Sequence, residues 1–349
     1  MTLRWSGGAL RFAHLPNLQI ADRSSRRQQL SNSLVTRSVS GILLAKSPTR
    51  QMTTRKAILI SNPKTGRYAS RRLPSIEEIS SQLSSEGLEV ELVVTTGPGD
   101  ATRMAADAAS KGVCDVIVAG GDGTINEALQ GLVGTPARLG ILPRGTANVL
   151  ACELGLPLDC RRAADVIAHG KTRRVHVGCA RDEKSGAKRH FLLMAGIGLD
   201  ASVVRRVRPE LKKRFGKGAF WFSGLSSLAD WKPKPFEIEV EGQSFTATFA
   251  TIGKAASYGG DLTVTPRARL DHPDFEICII ETRSRLRYLY LLSHAMRSGV
   301  PPDRRGVHFV RARRARATGE AAVQVDGELI GSLPMTFEIA VESIEVIVP

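Results

Sequence analysis

The β-branched run Val116-Ile117-Val118 passes almost directly into Gly120-Gly121-Asp122-Gly123, and Thr124-Ile125-Asn126-Glu127 then opens a helix. A strand that ends in glycine and turns at once into a helix is a βα unit of a parallel sheet. Glycine permits close backbone approach and positive φ. Successive N–H groups ahead of a helix N-terminus make a site for phosphate. An acid in that turn, Asp122, suggests magnesium binding or proton transfer. Part of the motif has a simpler explanation. Thr124 and Glu127 have the spacing of a capping box, and Ile125, Ala128, Leu129 and Leu132 form a buried stripe. Capping does not account for three glycines and an acid in four positions. The motif is neither a Walker A loop nor a full G-x-G-x-x-G.

Two more turns repeat the arrangement. Leu139-Gly140-Ile141-Leu142 reads as a strand and Pro143-Arg144-Gly145-Thr146-Ala147-Asn148 as its turn. A helix follows through Val149, Leu150, Ala151 and Leu154 to Gly155, with Pro157 as a stop. Thr146 is open to a role as N-cap and Asn148 to that of a solvated polar residue. Upstream, Ile58–Ser61 is a strand and Asn62-Pro63-Lys64-Thr65-Gly66 its turn. Strand C-termini in one parallel sheet converge on a crevice, so the three turns outline one site.

The rest of this half alternates in the same way. Ser75 and Glu78 form a capping box before Ile76, Ile79 and Leu83, and Gly87 ends that helix. Val90–Thr95 is a strand. Asp100 caps a helix with Ala101, Met104, Ala105 and Ala108 inward, ending at Gly112, and Asp159–His169 is a further helix. After about residue 171 the period changes. Val175–Cys179, Phe191–Ala195, Phe236–Val240, Phe245–Ile252, Phe275–Ile280, Val307–Ala312, Ala322–Val325 and Phe337–Ala340 read as strands, with helices only at Ala201–Lys213 and Arg285–Arg297. The expected fold is an α/β N-terminal domain on a parallel sheet, followed by a mainly antiparallel β second domain. The boundaries fall at 1–54 for a basic tail, 55–170 for the nucleotide-binding domain and 171–340 for the β-rich domain.

Asn-Pro-Lys-Thr-Gly, Gly-Gly-Asp-Gly-Thr-x-Asn-Glu and Gly-Ile-Leu-Pro-x-Gly-Thr-x-Asn, in that order, resemble the diacylglycerol kinase catalytic domain. The soluble bacterial lipid kinases are nearest, with sphingosine and ceramide kinases more distant. Ala195-Gly196-Ile197-Gly198-Leu199-Asp200-Ala201 is similar to the family's G-x-G-x-D-A element, and Val325-Asp326-Gly327-Glu328 to its late D-G-E element. The resemblance implies a NAD-kinase/diacylglycerol-kinase-like fold of two domains, with the final strand, Ile344–Val348 within 341–349, rejoining the first. It implies ATP and Mg2+ as cofactors and phosphoryl transfer to a lipid hydroxyl, with diacylglycerol as the leading acceptor. Asn62, Thr65, Gly121, Gly123 and Thr146 would contact the nucleotide, with Pro63, Lys64, Gly66, Gly120, Thr124, Gly145 and Asn148 completing the turns. Asp122 and Glu328 are the two catalytic candidates, their roles not separable by sequence, and Asp122 is also placed to act through nucleotide-bound magnesium. Asp326-Gly327-Glu328 also reads, without any function, as a tight hairpin turn with exposed acids. The chain departs from the family at two places. N-D-x-A-R becomes Asn148-Val149 with Cys152 in the last position. The L-D-D-G-L-x-D stretch near a structural magnesium becomes Leu270-Asp271-His272-Pro273-Asp274-Phe275-Glu276, leaving Asp271 as the candidate ligand. A NAD kinase, which shares Gly-Gly-Asp-Gly, and a non-catalytic nucleotide- or lipid-binding pseudokinase are the alternatives.

The 349 residues are 42% hydrophobic and carry a net charge of +15. Residues 1–55 hold nine Lys and Arg and one acid, so +8 of that charge lies there. This Arg/Ser-rich stretch reads as a disordered tail, an upstream start, or an organelle transit peptide. Arg205, Arg206, Arg208, Lys212, Lys213, Arg214 and Lys217 precede Phe220, Trp221 and Phe222, and Arg311, Arg313, Arg314 and Arg316 form a second cluster. Both suit an anionic membrane carrying a lipid substrate. No nucleic-acid fold accompanies the charge. Five cysteines without C-x-x-C spacing point to buried reduced thiols. A cytoplasmic, peripherally membrane-associated protein is expected, with a homodimer open.

Overall fold

The computed structural model describes residues 55–65, 73–198, 234–258, 262–302 and 304–349. The N-terminal segment, Gly66, the helix expected over 201–213 and the basic cluster before Phe220 lie outside the described residues.

The first half follows the alternation read from the sequence. It runs β1 (Arg55–Ser61), α1 (Ile76–Ser85), β2 (Leu88–Val94), α2 (Asp100–Ser110), β3 (Asp115–Gly120), α3 (Asp122–Leu132), β4 (Arg138–Pro143), α4 (Val149–Glu153) and α5 (Cys160–His169). The strands lie in the order β2-β1-β3-β4, all parallel. Both faces of the sheet are covered, as parallel sheets require. Ile58, Ile60, Val116, Val118, Leu139 and Ile141 face α2, α3 and α4, and Ala57, Leu59, Ile117 and Leu142 face α1 and α5.

The second half begins with β5 (Lys171–Asp182), β6 (Lys188–Phe191), β7 (Met194–Gly198), β8 (Phe236–Val240), β9 (Gln243–Ala247) and β10 (Phe249–Gly253). It continues through β11 (Ser257–Tyr258), β12 (Leu262–Thr263), β13 (Phe275–Ile280), α6 (Arg285–Ala295), β14 (Val307–Ala312), β15 (Arg314–Gly319), β16 (Ala322–Val325), β17 (Glu328–Ser332) and β18 (Met335–Val348). One antiparallel layer has the order β14-β13-β10-β7-β16-β17. The other is built from β18, β15, β8 and β9, with β5 and β6 on the far side of β18. Phe191, Phe236, Ile238, Phe275, Met335 and Phe337 fill the space between the layers. The long β18 joins the halves: its end pairs parallel with β4 at Glu345↔Arg138, while antiparallel to β5 along its length. The final strand thus returns to the first domain.

Several expectations need correction. Asp100 does not cap α2. The N-cap is Gly99, in the left-handed region at φ 85°, and the Asp100 carboxylate instead accepts from Thr96 N, Thr96 Oγ1 and Gly97 N. The Phe245–Ile252 run is two strands broken at Thr248, whose buried hydroxyl bonds the Ile280 and Thr282 carbonyls and pairs with Tyr288 Oη. The Arg311–Arg316 cluster spans β14 and β15, with Ala315 and Ala317 turned into the core. Phe337–Ala340 and Ile344–Val348 are one strand. Cys160, Cys179 and Cys278 are buried, whereas Cys114 and Cys152 are exposed, and none of the five is in a disulfide.

Helix α3, which carries the glycine motif, lies backbone-to-backbone on α2. A Cβ on Gly131 would sit 2.3 Å from the Thr102 carbonyl oxygen and 2.8 Å from Ala106 N. Overpacking of this kind costs about 1–3 kcal/mol. Gly131→Ala is therefore expected to lower Tm by several degrees in a calorimetric scan while the chain remains soluble.

Candidate active site

Each of the three turns leaves a parallel strand at the same edge of the sheet, and side chains lace them together. Asn62 N bonds the Ala119 carbonyl (3.1 Å), and Asn62 Nδ2 donates to Thr124 Oγ1 at 2.9 Å. Asn62 also folds its own turn: Oδ1 accepts from Lys64 N at 3.0 Å, and its carbonyl accepts from Thr65 Oγ1 at 2.7 Å. Pro63 and Lys64 form the exposed tip of that turn.

The glycines of the second and third turns touch. A Cβ on Gly121 would lie 3.1 Å from Gly145 Cα, and one on Gly145 would lie 2.6 Å from Gly121 Cα. Gly120 is similarly closed, with Thr124 Cβ 2.7 Å from where its own Cβ would be. Glycine at these positions is required by close approach rather than by positive φ. The backbone N–H groups of two turns are thereby brought to one place, which is how an anion is bound without side chains.

Asp122 is the bond between these turns. The helix begins at Asp122 itself, three residues earlier than a Thr124 cap would place it. Its Oδ2 accepts from Val149 N and its Oδ1 from Leu150 N, each at 3.1 Å. The acid of the second turn therefore caps the helix that follows the third. Two readings fall with this. Thr124 and Glu127 are not a capping box: Thr124 holds Asn62, and Glu127 Oε2 accepts from Gly99 N. Thr146 is not an N-cap but is exposed, and Asn148, at φ 49°, is the N-cap residue of α4. Nor is Asn148 solvated. It is buried and clasps Gly145, with Oδ1 accepting from Gly145 N at 2.8 Å and Nδ2 donating to its carbonyl at 3.0 Å. Val149, where the resemblance would place an acid, is buried in the core.

The late acidic turn faces this edge from the other half. Asp326 and Gly327 have φ of 45° and 87° and connect β16 to β17 as a two-residue hairpin. The hairpin is real, but its first acid is not exposed to solvent as a free group. Asp326 Oδ1 accepts from Leu193 N and Met194 N, and Oδ2 from Leu192 N, all at 2.9 Å. Asn126 Nδ2, on α3, adds a fourth bond to Oδ2 at 2.8 Å. Burial pushes the Asp326 carboxyl above its ordinary range, and the four donors oppose that shift. These bonds also explain why the expected Phe191–Ala195 strand is broken: Leu192 and Leu193 give their N–H groups to Asp326 instead of to a ladder. Glu328 follows the turn. Its Oε2 accepts from Arg189 Nη2 at 2.5 Å. Its Oε1 lies 3.8 Å from where a Cβ on Gly123 would be. The two acids expected to share the site are thus brought to one cleft by different halves.

Asn126 and Arg189 are site-forming residues that sequence reasoning did not single out. The signal for Asn126 was its fixed place in the glycine motif. Nothing in the sequence pairs Arg189 with Glu328. Asp271 is held away from the cleft residues, with both oxygens on Arg269 at 3.0 and 2.9 Å. Among the described residues no three His, Cys, Asp or Glu side chains converge as a metal cage.

Residues 56–180 match the diacylglycerol kinase catalytic domain family, and residues 194–348 match the YegS C-terminal NAD kinase beta sandwich-like domain. The diacylglycerol kinase of Staphylococcus saprophyticus is 31% identical over 301 residues, which cover 84% of this chain and 96% of that one. The chain belongs to the diacylglycerol kinase family. The Mycobacterium tuberculosis diacylglycerol kinase is 30% identical over 301 residues, 84% of this chain and 95% of that one. A crystal structure of a diacylglycerol kinase from Bacillus anthracis shares the fold, with a TM-score of 0.65 at 22% identity over 84% of this chain and 97% of that one. The protein is therefore an ATP-dependent lipid kinase, and the NAD-kinase alternative gives way to relatives that match along both halves.

Because Gly145 packs on Gly121 backbone to backbone, Gly145→Ala is expected to separate the second and third turns. The measurable result is a loss of ATP affinity of at least tenfold by calorimetric titration, with the secondary structure retained by circular dichroism.

Proposed function

We propose that this lipid kinase transfers the γ-phosphate of ATP to the free hydroxyl of diacylglycerol, giving phosphatidic acid, with Glu328 taking the hydroxyl proton. The observation that carries this reading is the position of Glu328: one carboxylate oxygen is fixed by Arg189, and the other is turned toward Gly123 in the phosphate turn. Phosphoryl transfer needs positioning and charge neutralisation more than covalent chemistry. The N–H groups around Gly121, Gly123 and Gly145 would receive the phosphates, and Asn62, Thr65 and Thr146 would border the nucleotide. Arg189 orients Glu328 through one carboxylate oxygen and leaves the other to accept the hydroxyl proton.

Asp122 has a different task in this scheme. Both of its oxygens already accept N–H groups from α4. It locks the two phosphate turns together and leaves lone pairs for one contact with a cation. Among the described residues of the three turns it is the only carboxylate. That suits magnesium, which binds through one or two carboxylates plus nucleotide phosphates rather than in an all-protein cage. When bound, the ion would neutralise charge on the transferring phosphate.

The two acids should then separate experimentally. Glu328→Gln is expected to lower kcat about 10²–10⁴-fold, the range for losing a general base, with little change in Tm or in KM for ATP. Asp122→Asn leaves one N–H of α4 facing an amide, a cost of about 1–3 kcal/mol for a buried unsatisfied group, so Tm falls and KM for ATP rises. The reverse pattern would exchange the roles. Full activity in excess chelator would remove magnesium from the scheme. Product analysis on diacylglycerol, sphingosine and phosphatidylglycerol identifies the acceptor.

Among the described residues no helix is long and apolar enough to cross a membrane. A bilayer substrate is then reached from the surface, and α6 is the face we assign to that contact. Leu286 is 79% exposed and Tyr290 40%, one turn apart on the helix. Arg304 stacks over the Tyr290 ring at 5.6 Å, and Arg283, Arg297 and Arg305 are exposed around them. The Arg311–Arg316 cluster is less suited, because Arg316 is bidentate with Glu183 and Arg311 pairs with Asp274. Each basic side chain at an anionic surface contributes about 1 kcal/mol, and salt weakens it. Leu286→Glu with Tyr290→Ser is expected to reduce sedimentation with phosphatidylserine vesicles at least fivefold and to leave activity on detergent-dispersed lipid unchanged. Equal sedimentation would remove α6 from the interface.

A further inference from the structure

Lys254 is fully buried where β10 leaves the antiparallel layer. Its Nζ donates to three backbone carbonyls of one turn: Arg269 at 3.1 Å, Asp274 at 3.2 Å, and His272. Three carbonyls of one short turn converging on a point is the donor arrangement of a hard-cation site. An ammonium has three donors and no acceptor, so three carbonyls satisfy it completely. The turn is the one that resembles the family's structural-magnesium stretch, with His272-Pro273 in place of Asp-Gly.

The residues of this turn do not fit a magnesium ion. The place a cation would take is filled by the ammonium. The two carboxylates that would ligate it are directed to guanidinium groups. Asp271 is bidentate with Arg269, and Asp274 lies 3.7 Å from Arg311 Nε. Burial pulls the Lys254 ammonium down, but the three carbonyl acceptors around Nζ are the partners a charged ammonium needs.

We propose that Lys254 is a tethered cation that replaces a structural metal in the 269–274 turn, so that this kinase holds its cleft together without a second ion. The same residue ties the turn to the active site. Lys254 N and Ala255 N both donate to the Leu193 carbonyl, at 2.8 and 3.0 Å, in the segment whose N–H groups bind Asp326. On the other side, Leu270 is buried in the core of the parallel half, and its carbonyl accepts from His176 N at 2.9 Å. The ammonium therefore links the bend beneath Glu328 to the turn that plugs into the nucleotide domain.

The test uses the full chain without nucleotide. Metal content by plasma mass spectrometry should be far below one Mg2+ or Ca2+ per chain, and Tm should be the same in EDTA and in 0.5 mM MgCl2. Lys254→Ser should lower Tm by several degrees in EDTA and recover part of that loss as MgCl2 or CaCl2 is titrated in. A wild-type chain carrying one tightly held divalent ion, or gaining Tm from magnesium alone, would overturn the proposal. So would Lys254→Ser with wild-type Tm in EDTA. Should that variant fail to fold, the wild-type metal content and Tm decide by themselves. These readouts do not involve catalysis, so they stand apart from the assignment of Glu328.

Discussion

The Asp326 carboxylate is the interaction on which the cleft depends. It gathers the N–H groups of Leu192, Leu193 and Met194 and the amide of Asn126, and so binds α3 of the parallel half to the entry of β7 in the antiparallel half. A buried carboxylate is tolerated only where its lone pairs are met. Here four donors meet them, and each donor is spent on fixing a position. The left-handed conformations of Asp326 and Gly327 follow from the two-residue turn. Glu328 is the next residue, so its direction is inherited from that turn. Gln130 reinforces the same junction, donating to the His190 carbonyl and accepting from His190 N at 3.0 Å each.

The phosphate edge is held by a complementary logic. Most of its contacts run from side chain to backbone, with one side chain–side chain bond, Asn62 to Thr124, tying the first turn to the second. Asn148 closes the third turn, Asp122 caps α4 across from the second, and Asn62 ties the first to Thr124. Such bonds fix the turns before any ligand arrives. Less ordering entropy is then lost on binding, which is the physical meaning of preorganisation.

Legibility in the sequence tracked the range of the interactions. The parallel half was readable because strand period, glycine turns and helix stops are local signals, and Ser75 does cap its helix as its spacing to Glu78 implies. The three turns were readable for the same reason, whereas Asp122 and Glu328 were paired only through the family resemblance. What failed was non-local. Thr124-x-x-Glu127 has capping-box spacing, yet each side chain bonds a residue from another element. Arg314-Ala315-Arg316-Ala317 alternates as a strand does, but four arginines in six residues read as a surface patch. The split of Phe191–Ala195 depends on an acid more than a hundred residues away in the chain. The Arg189–Glu328 and Lys254–carbonyl contacts depend on packing that no spacing encodes.

Much of the positive charge outside the N-terminal segment is structural. Arg55 and Arg138 hold the fully buried Asp115, Arg267 holds the fully buried Glu276, and Arg316 holds Glu183. Burying a charge is costly unless it is paired and hydrogen-bonded, and guanidinium groups do this with planar, directional donors. Glu276 is locked on both oxygens, by Arg267 N and Arg267 Nε. Lys254 is the same device inverted, a buried cation met by carbonyls. Glu328 differs in one respect. Its guanidinium takes a single oxygen, and the other lies 3.8 Å from where a Cβ on Gly123 would be, against a residue that has no side chain.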